Sequence, residues 1–167
     1  MASLKLPDGL FGDLRAHLLP RQSMREEAAF LFAQPVGDTS NFEVIGAKML
    51  KPGDFAHHQS DYLELDDSTR ASLIKQAHDR DASLVELHSH PGPFPAAFSY
   101  ADLRGLQETV PYMWWRLKKR PYFAIVVAEG GFDALAWIID PSAPEPLTLE
   151  ADGQVHQPTN NTLSGML

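Results

Sequence analysis

No cysteine occurs among the 167 residues of the chain. That absence excludes disulfides, thiolate-bound zinc and any cysteine nucleophile, so a metal ion would have to be held by His, Asp or Glu. Long apolar runs are missing as well. None approaches the roughly 18–20 residues needed to cross a bilayer, and the first residues lack a signal-peptide pattern. The expectation is a cytoplasmic protein with no membrane partner. Positive charge is scarce: Lys and Arg number 14 against 22 Asp and Glu, a formal charge of −8. Such a field repels phosphate backbones and argues against nucleic acid as a partner. One basic run stands out, Arg116-Leu117-Lys118-Lys119-Arg120. It reads either as a helix end whose cations suit the helix dipole or as a small dock for an acidic partner.

What the chain does contain is ordinary globular material, 44% hydrophobic and 22% charged. This suits one domain over residues 1–157 and a polar, mobile tail at 158–167. Leu10, Phe11, Leu14 and Leu18 recur at helical spacing before Pro20, which predicts a helix over 9–19. Residues 27–34 and 41–50 read as strands, 62–65 as a short extended piece and 66–81 as a helix. Further on, 83–90 reads as a strand and 99–110 as a helix closed near Pro111. Hairpins are expected over 121–139, turning at Glu129-Gly130-Gly131, and over 147–157, turning at Asp152-Gly153. The order predicts an α+β domain, a mixed sheet wrapped by about three helices. Trp114, Trp115 and Trp137 read as core or near-core aromatics. His57 and His58 fall in a polar loop, and His17 and His78 have no partner at ligand spacing.

Residues 88 to 102 carry the chemistry: His-Ser-His-Pro, a proline-rich loop, then Ser-Tyr-Ala-Asp. Side chains alternate across a strand, so His88 and His90 share a face. Ser99 is placed to cap the following helix, and Asp102 falls in its first turn. Taken singly, a His-x-His pair is a weak signal and Ser-x-x-Asp is a capping box. Straddling one strand-to-helix turn, they offer two nitrogens and one carboxylate oxygen with a fourth position open, the pattern of catalytic zinc.

These residues resemble the signature of the JAMM metalloproteases, also called MPN+ domains: a distant Glu, then His-Ser/Thr-His-Pro, a loop and Ser-x-x-Asp. "HSHP" at 88–91 and "SYAD" at 99–102 match each defining position, and the loop between them is one residue longer than in the common eukaryotic form. The resemblance implies an MPN fold of cytidine-deaminase-like type, with zinc held by His88, His90 and Asp102. It implies a glutamate as general base and the Ser99 hydroxyl as stabiliser of the oxyanion. Glu26 and Glu27 both fit the base. Glu27 is preferred because it keeps Ala29-Phe30-Leu31-Phe32 in register with the core strand. Glu86, two residues before His88, is a rival for that role or an orienting group for a ligand.

The implied activity is cleavage of an isopeptide or peptide bond after the C-terminus of a ubiquitin-like protein, taken as an extended tail. The compact, cysteine-free chain is similar to prokaryotic stand-alone, deubiquitinase-like members, some of which are encoded in bacterial ubiquitination-like antiviral operons. The alternative is a zinc hydrolase acting on a sulfur-carrier protein or a small amide or peptide conjugate. A metal-free scaffold is the reading from another class.

Overall fold

In the computed structural model, residues 1–37, 40–58 and 63–165 are described. The chain runs β1 (Ala2–Lys5), α1 (Leu10–Leu18), β2 (Ala28–Pro35), β3 (Asn41–Met49), β4 (Phe55–His58), β5 (Leu63–Leu65) and α2 (Asp67–Asp79). It continues with β6 (Ser83–His90), α3 (Tyr100–Arg116), β7 (Tyr122–Ala128), β8 (Gly131–Trp137), β9 (Glu145–Ala151), β10 (Gln154–His156) and α4 (Asn161–Gly165). His57 and His58, read as loop, have their backbone in β4, which pairs with β5. Of the segment expected at 62–65, Tyr62 lies outside the described residues, as do the last two residues of the expected tail.

The strand order β1-β3-β2-β6-β7-β8-β9 returns to β1, because β1 pairs in parallel with both β3 and β9. Seven strands therefore close into a mixed β-barrel accompanied by four helices. This corrects the expected fold. An MPN-type mixed sheet wrapped by about three helices would be open, and this sheet is not. The closing stave is four residues long, too short for its alternation to register in the sequence. Ala2 and Leu4 are nevertheless fully buried. Joining both margins of the sheet satisfies edge groups that would otherwise stay unpaired.

Two apolar cores follow from strand alternation. One face of each barrel strand fills the lumen, Leu4, Leu31, Val44, Leu87, Ile125 and Leu149 among them, joined by Leu14 and Leu18 of α1. The other face of β2, β6, β7 and β8 is covered by α2 and α3. There Phe30, Phe32, Leu84 and Val126 meet Ile74, Leu106, Val110 and Met113. Burial on both faces makes β7 a continuous apolar run, Tyr-Phe-Ala-Ile-Val-Val-Ala. Helix α3 does not stop at Pro111 but runs through it to Arg116. Pro111 and Gln107, whose carbonyl it leaves unpaired, are both exposed, so water can solvate that carbonyl. Leu106, Val110, Met113 and Leu117 keep their helical spacing across it. Among the described residues, no helix is long and apolar enough to cross a membrane.

Closure by β1 has a measurable cost of removal. Leu4→Ala deletes a fully buried side chain from the lumen and is expected to destabilise by about 3 kcal/mol. Lys5→Ala, at an exposed position of the same strand, should stay within about 0.5 kcal/mol. Urea unfolding midpoints of the two variants test this, and equal costs would mean that β1 does not hold the barrel.

Candidate metal centre

β6 lies between β2 and β7, with Ala28 and Val126 opposite His88 on either side. Alternation turns Glu86, His88 and His90 toward the α3 side and buries Leu87 and Ser89 on the other. Beyond Pro91 the chain turns at Gly92 (φ +94°), where a Cβ would come within 3.0 Å of Met24 Cε and 3.2 Å of Phe94. The rest of the loop is tied to residues 159–162, within the stretch read as a tail. Phe98 N–H donates to Thr162 Oγ1 at 2.9 Å, and Thr159 Oγ1 donates to the Ala96 carbonyl at 2.6 Å. The buried Asp133 holds that stretch in turn, accepting from the N–H groups of Asn160 and Thr162 at 3.1 and 2.9 Å.

This loop delivers α3 to the histidines. Ser99 caps the helix: its Oγ accepts from Asp102 N–H at 3.0 Å, and Asp102 Oδ2 accepts from Ser99 N–H at 2.8 Å. The same Oδ2 lies 3.1 Å from His88 Nε2 and 3.1 Å from His90 Nε2, and the two Nε2 atoms are 3.2 Å apart. The capping reading and the ligand reading thus describe one carboxylate. Among the described residues, His88, His90 and Asp102 form a His/Asp group whose ligand atoms all lie within 4.8 Å of one another.

Donor spacing and donor chemistry both fit a small cation. Ligand bonds of about 2.0–2.1 Å in a tetrahedron put the donors about 3.3 Å apart, close to the spacing here. Each Nε2 offers either one hydrogen or one lone pair, so the three mutual contacts cannot all be hydrogen bonds, whereas a single cation would take a lone pair from every donor. Burial opposes charge on His88, but the hydrogen bond and charge of Asp102 outweigh it and raise the imidazole above its ordinary value. Burial likewise opposes the Asp102 carboxylate. Its bonds to His88, His90 and Ser99 prevail and hold it far below the usual range. The trio is set up for a carboxylate facing positive charge.

The preferred glutamate differs from the one the structure brings to the cluster. Ser89 N–H donates to the Glu27 carbonyl at 3.1 Å, and Glu27 N–H donates to Ser89 Oγ at 2.9 Å, so Glu27 is ladder partner to Ser89. Strand parity then sends the Glu27 side chain to the face opposite the histidines and Glu26 to theirs. Glu26 Oε1 lies 3.6 Å from His90 Nε2. That is beyond hydrogen-bond length and sets Glu26 beside the three donors rather than among them. The one-residue difference is the pairing register of β2 with β6, which a single strand cannot reveal.

Glu86 is engaged by Tyr122, whose hydroxyl donates to Oε1 at 2.7 Å. Burial raises the Glu86 carboxyl, against the Tyr122 bond and the His88 charge, and pushes the Tyr122 hydroxyl well up. Both line a cavity of about 330 Å³ beneath α3, walled also by Phe55, Leu65 and Met113, that reaches Glu26, His88 and Asp102. Tyr122 and Ser89 escaped sequence reasoning because a tyrosine opening an apolar strand and a serine between two histidines carry no spacing signal.

The other candidates lie elsewhere. His17 Nε2 contacts the Ala28 carbonyl at 2.9 Å, and His78 sits exposed in the last turn of α2. Trp137 is buried and Trp114 packs at the core margin, whereas Trp115, read with them as core or near-core, is 75% exposed. No protein-family model matches the chain, and no curated protein is significantly similar to it.

Proposed function

We propose that this protein is a cytoplasmic, zinc-dependent isopeptidase or peptidase of JAMM type that cleaves after the C-terminus of a ubiquitin-like protein. The observation that carries the reading is the convergence of His88, His90 and Asp102 with the Glu26 carboxylate beside them. The reading rests on the motif and on this local geometry, and it needs no open sheet.

Zinc held by His88, His90 and Asp102 would supply Lewis acidity, lowering the pKa of the attacking water to about 7. Glu26 takes a proton from the attacking water and returns it to the leaving amine, since its carboxylate stands next to the donor set without being spent in it. Ser99 Oγ accepts from Asp102 N–H, which leaves its own hydroxyl hydrogen to donate to the oxyanion, an effect worth about 3–4 kcal/mol for one such donor. The α3 N-terminus favours the ionised Asp102. β6 is flanked on both sides, so an extended substrate tail finds no sheet edge there. The β4–β5 pair lies outside the barrel and contributes Phe55 and Leu65 to the cavity wall, which offers the tail a strand to lie against.

A ubiquitin-like protein fused through its C-terminus to a reporter protein provides the assay. The zinc-loaded enzyme should release the reporter, and chelation should stop it. If the enzyme leaves the fusion and lysine-linked conjugates intact but hydrolyses small amides, the substrate is a small conjugate instead.

A further inference from the structure

The basic run at the end of α3 is built in a way that the helix dipole does not explain. Lys119 N–H donates to the Trp114 carbonyl at 2.7 Å, the closing bond of a Schellman motif beyond the cap Leu117. The left-handed position of that motif is usually glycine, yet here it is Lys118 at φ 56°, and Lys119 follows at φ 66°. Two consecutive side-chain-bearing residues in this region cost energy that glycine would not. Both lysines are exposed. On the turn before them, Trp115 is 75% and Tyr112 39% exposed, with ring centroids 6.2 Å apart. Arg116 sits 5.7 Å over the Tyr112 ring and donates to its hydroxyl at 2.8 Å. Arg120 is otherwise engaged, on Asp81 at 2.7 Å.

A cation in the last helical turn is favourable, which accounts for Arg116. It accounts neither for an indole in solvent nor for lysines where glycine fits. We propose that Tyr112, Trp115, Arg116, Lys118 and Lys119 form a docking surface for an acidic protein segment, several Asp or Glu residues with an apolar side chain among them. The rings supply contact area at low entropic cost. The cations stand out on a chain of formal charge −8, so they steer an acidic segment to this patch while the rest of the surface repels it. Helix α3 has 17 residues and so spans about 25 Å, with Asp102 at one end and this patch at the other. A docked segment leaves the metal centre uncovered, and the inference does not depend on what that centre does.

Fluorescence anisotropy of the full chain with a labelled peptide of repeated Glu-Glu-Leu tests the surface, with a Gln-Gln-Leu peptide and an oligothymidylate as comparisons. The acidic peptide should bind, weaken with added salt, and exceed the Gln-Gln-Leu peptide by about tenfold or more. The Lys118→Gly/Lys119→Gly variant relieves the left-handed strain and should melt no lower than wild type, yet lose about tenfold in affinity, as should Trp115→Ala. Absence of binding, equal binding to the uncharged peptide, or unchanged affinity in both variants overturns the proposal. Tighter binding of oligothymidylate that is lost in the same variants also overturns it and assigns the patch to single strands.

Discussion

Replacing Glu26 by glutamine is expected to slow cleavage of the ubiquitin-like fusion by about 10²–10⁴-fold, the range for loss of a general acid–base group. Glu27→Gln should stay within about twofold of wild type. The contrast isolates one structural fact, since the two residues are chemically identical neighbours and only strand parity separates them. Glu26 has its carboxylate 3.6 Å from His90 Nε2, while Glu27 is locked by its backbone to Ser89. Glutamine keeps the size of the side chain and removes the basic oxygen, so zinc content should remain at wild-type level. Loss of kcat with KM nearly unchanged would mark a group acting in the transition state. An inactive Glu27→Gln enzyme beside an active Glu26→Gln enzyme would place the catalytic register one residue later.

Zinc is expected to raise the melting temperature of the wild-type protein and to do nothing for His90→Ala or Asp102→Ala. At a free concentration about 100-fold above its Kd, a ligand of the folded state adds about 2.7 kcal/mol, or about 5–10 °C for a chain of this size. The shift should also depend on pH in a definite direction. His88 is raised in the folded protein, so its protonated form stabilises fully below the unfolded value of about 6.5. That contribution is lost as pH rises through the higher folded value. Asp102 is lowered, so its contribution is present above about 3.9 and fades only in strong acid. His88 therefore contributes less to the stability of the metal-free protein as pH rises above about 6.5. Zinc binding strengthens over the same interval because zinc no longer competes with protons for the imidazoles. Melts with and without zinc at mildly acidic and mildly alkaline pH should show the larger shift at the alkaline one. A shift that survives in His90→Ala would move the ion to another site.

The grouping of His88, His90 and Asp102 was legible because the three are local: two residues on one strand and one in the next helical turn, within fifteen positions. Spacing of that kind translates directly into a shared face. Glu26 was legible as a type but not as a position, since it meets the histidines across a strand pairing whose register no single segment encodes. The barrel was not legible for a related reason. Ala2 and Leu4 look like any short apolar alternation, and the partner that makes β1 a stave, β9, lies more than a hundred residues away. Pro111 misled in the other direction: local propensity ends α3 there, while the apolar row Leu106, Val110, Met113, Leu117 carries the helix past it.

The pairing of β1 with β9 also orders events during synthesis. β1 can pair with β3 soon after both are made, since Leu4 aligns with Phe42, but its second partner does not exist until the stretch around Leu147 to Glu150 has been made. Until then the nascent sheet is an open ribbon with a bare margin, a form prone to pairing with other chains. The residues that tie down the Ala96–Phe98 loop, Thr159 and Thr162, emerge later still. Synthesis thus makes the histidines well before the residues that fasten their loop, so the arrangement of His88, His90 and Asp102 is held in place only after the strands around it exist.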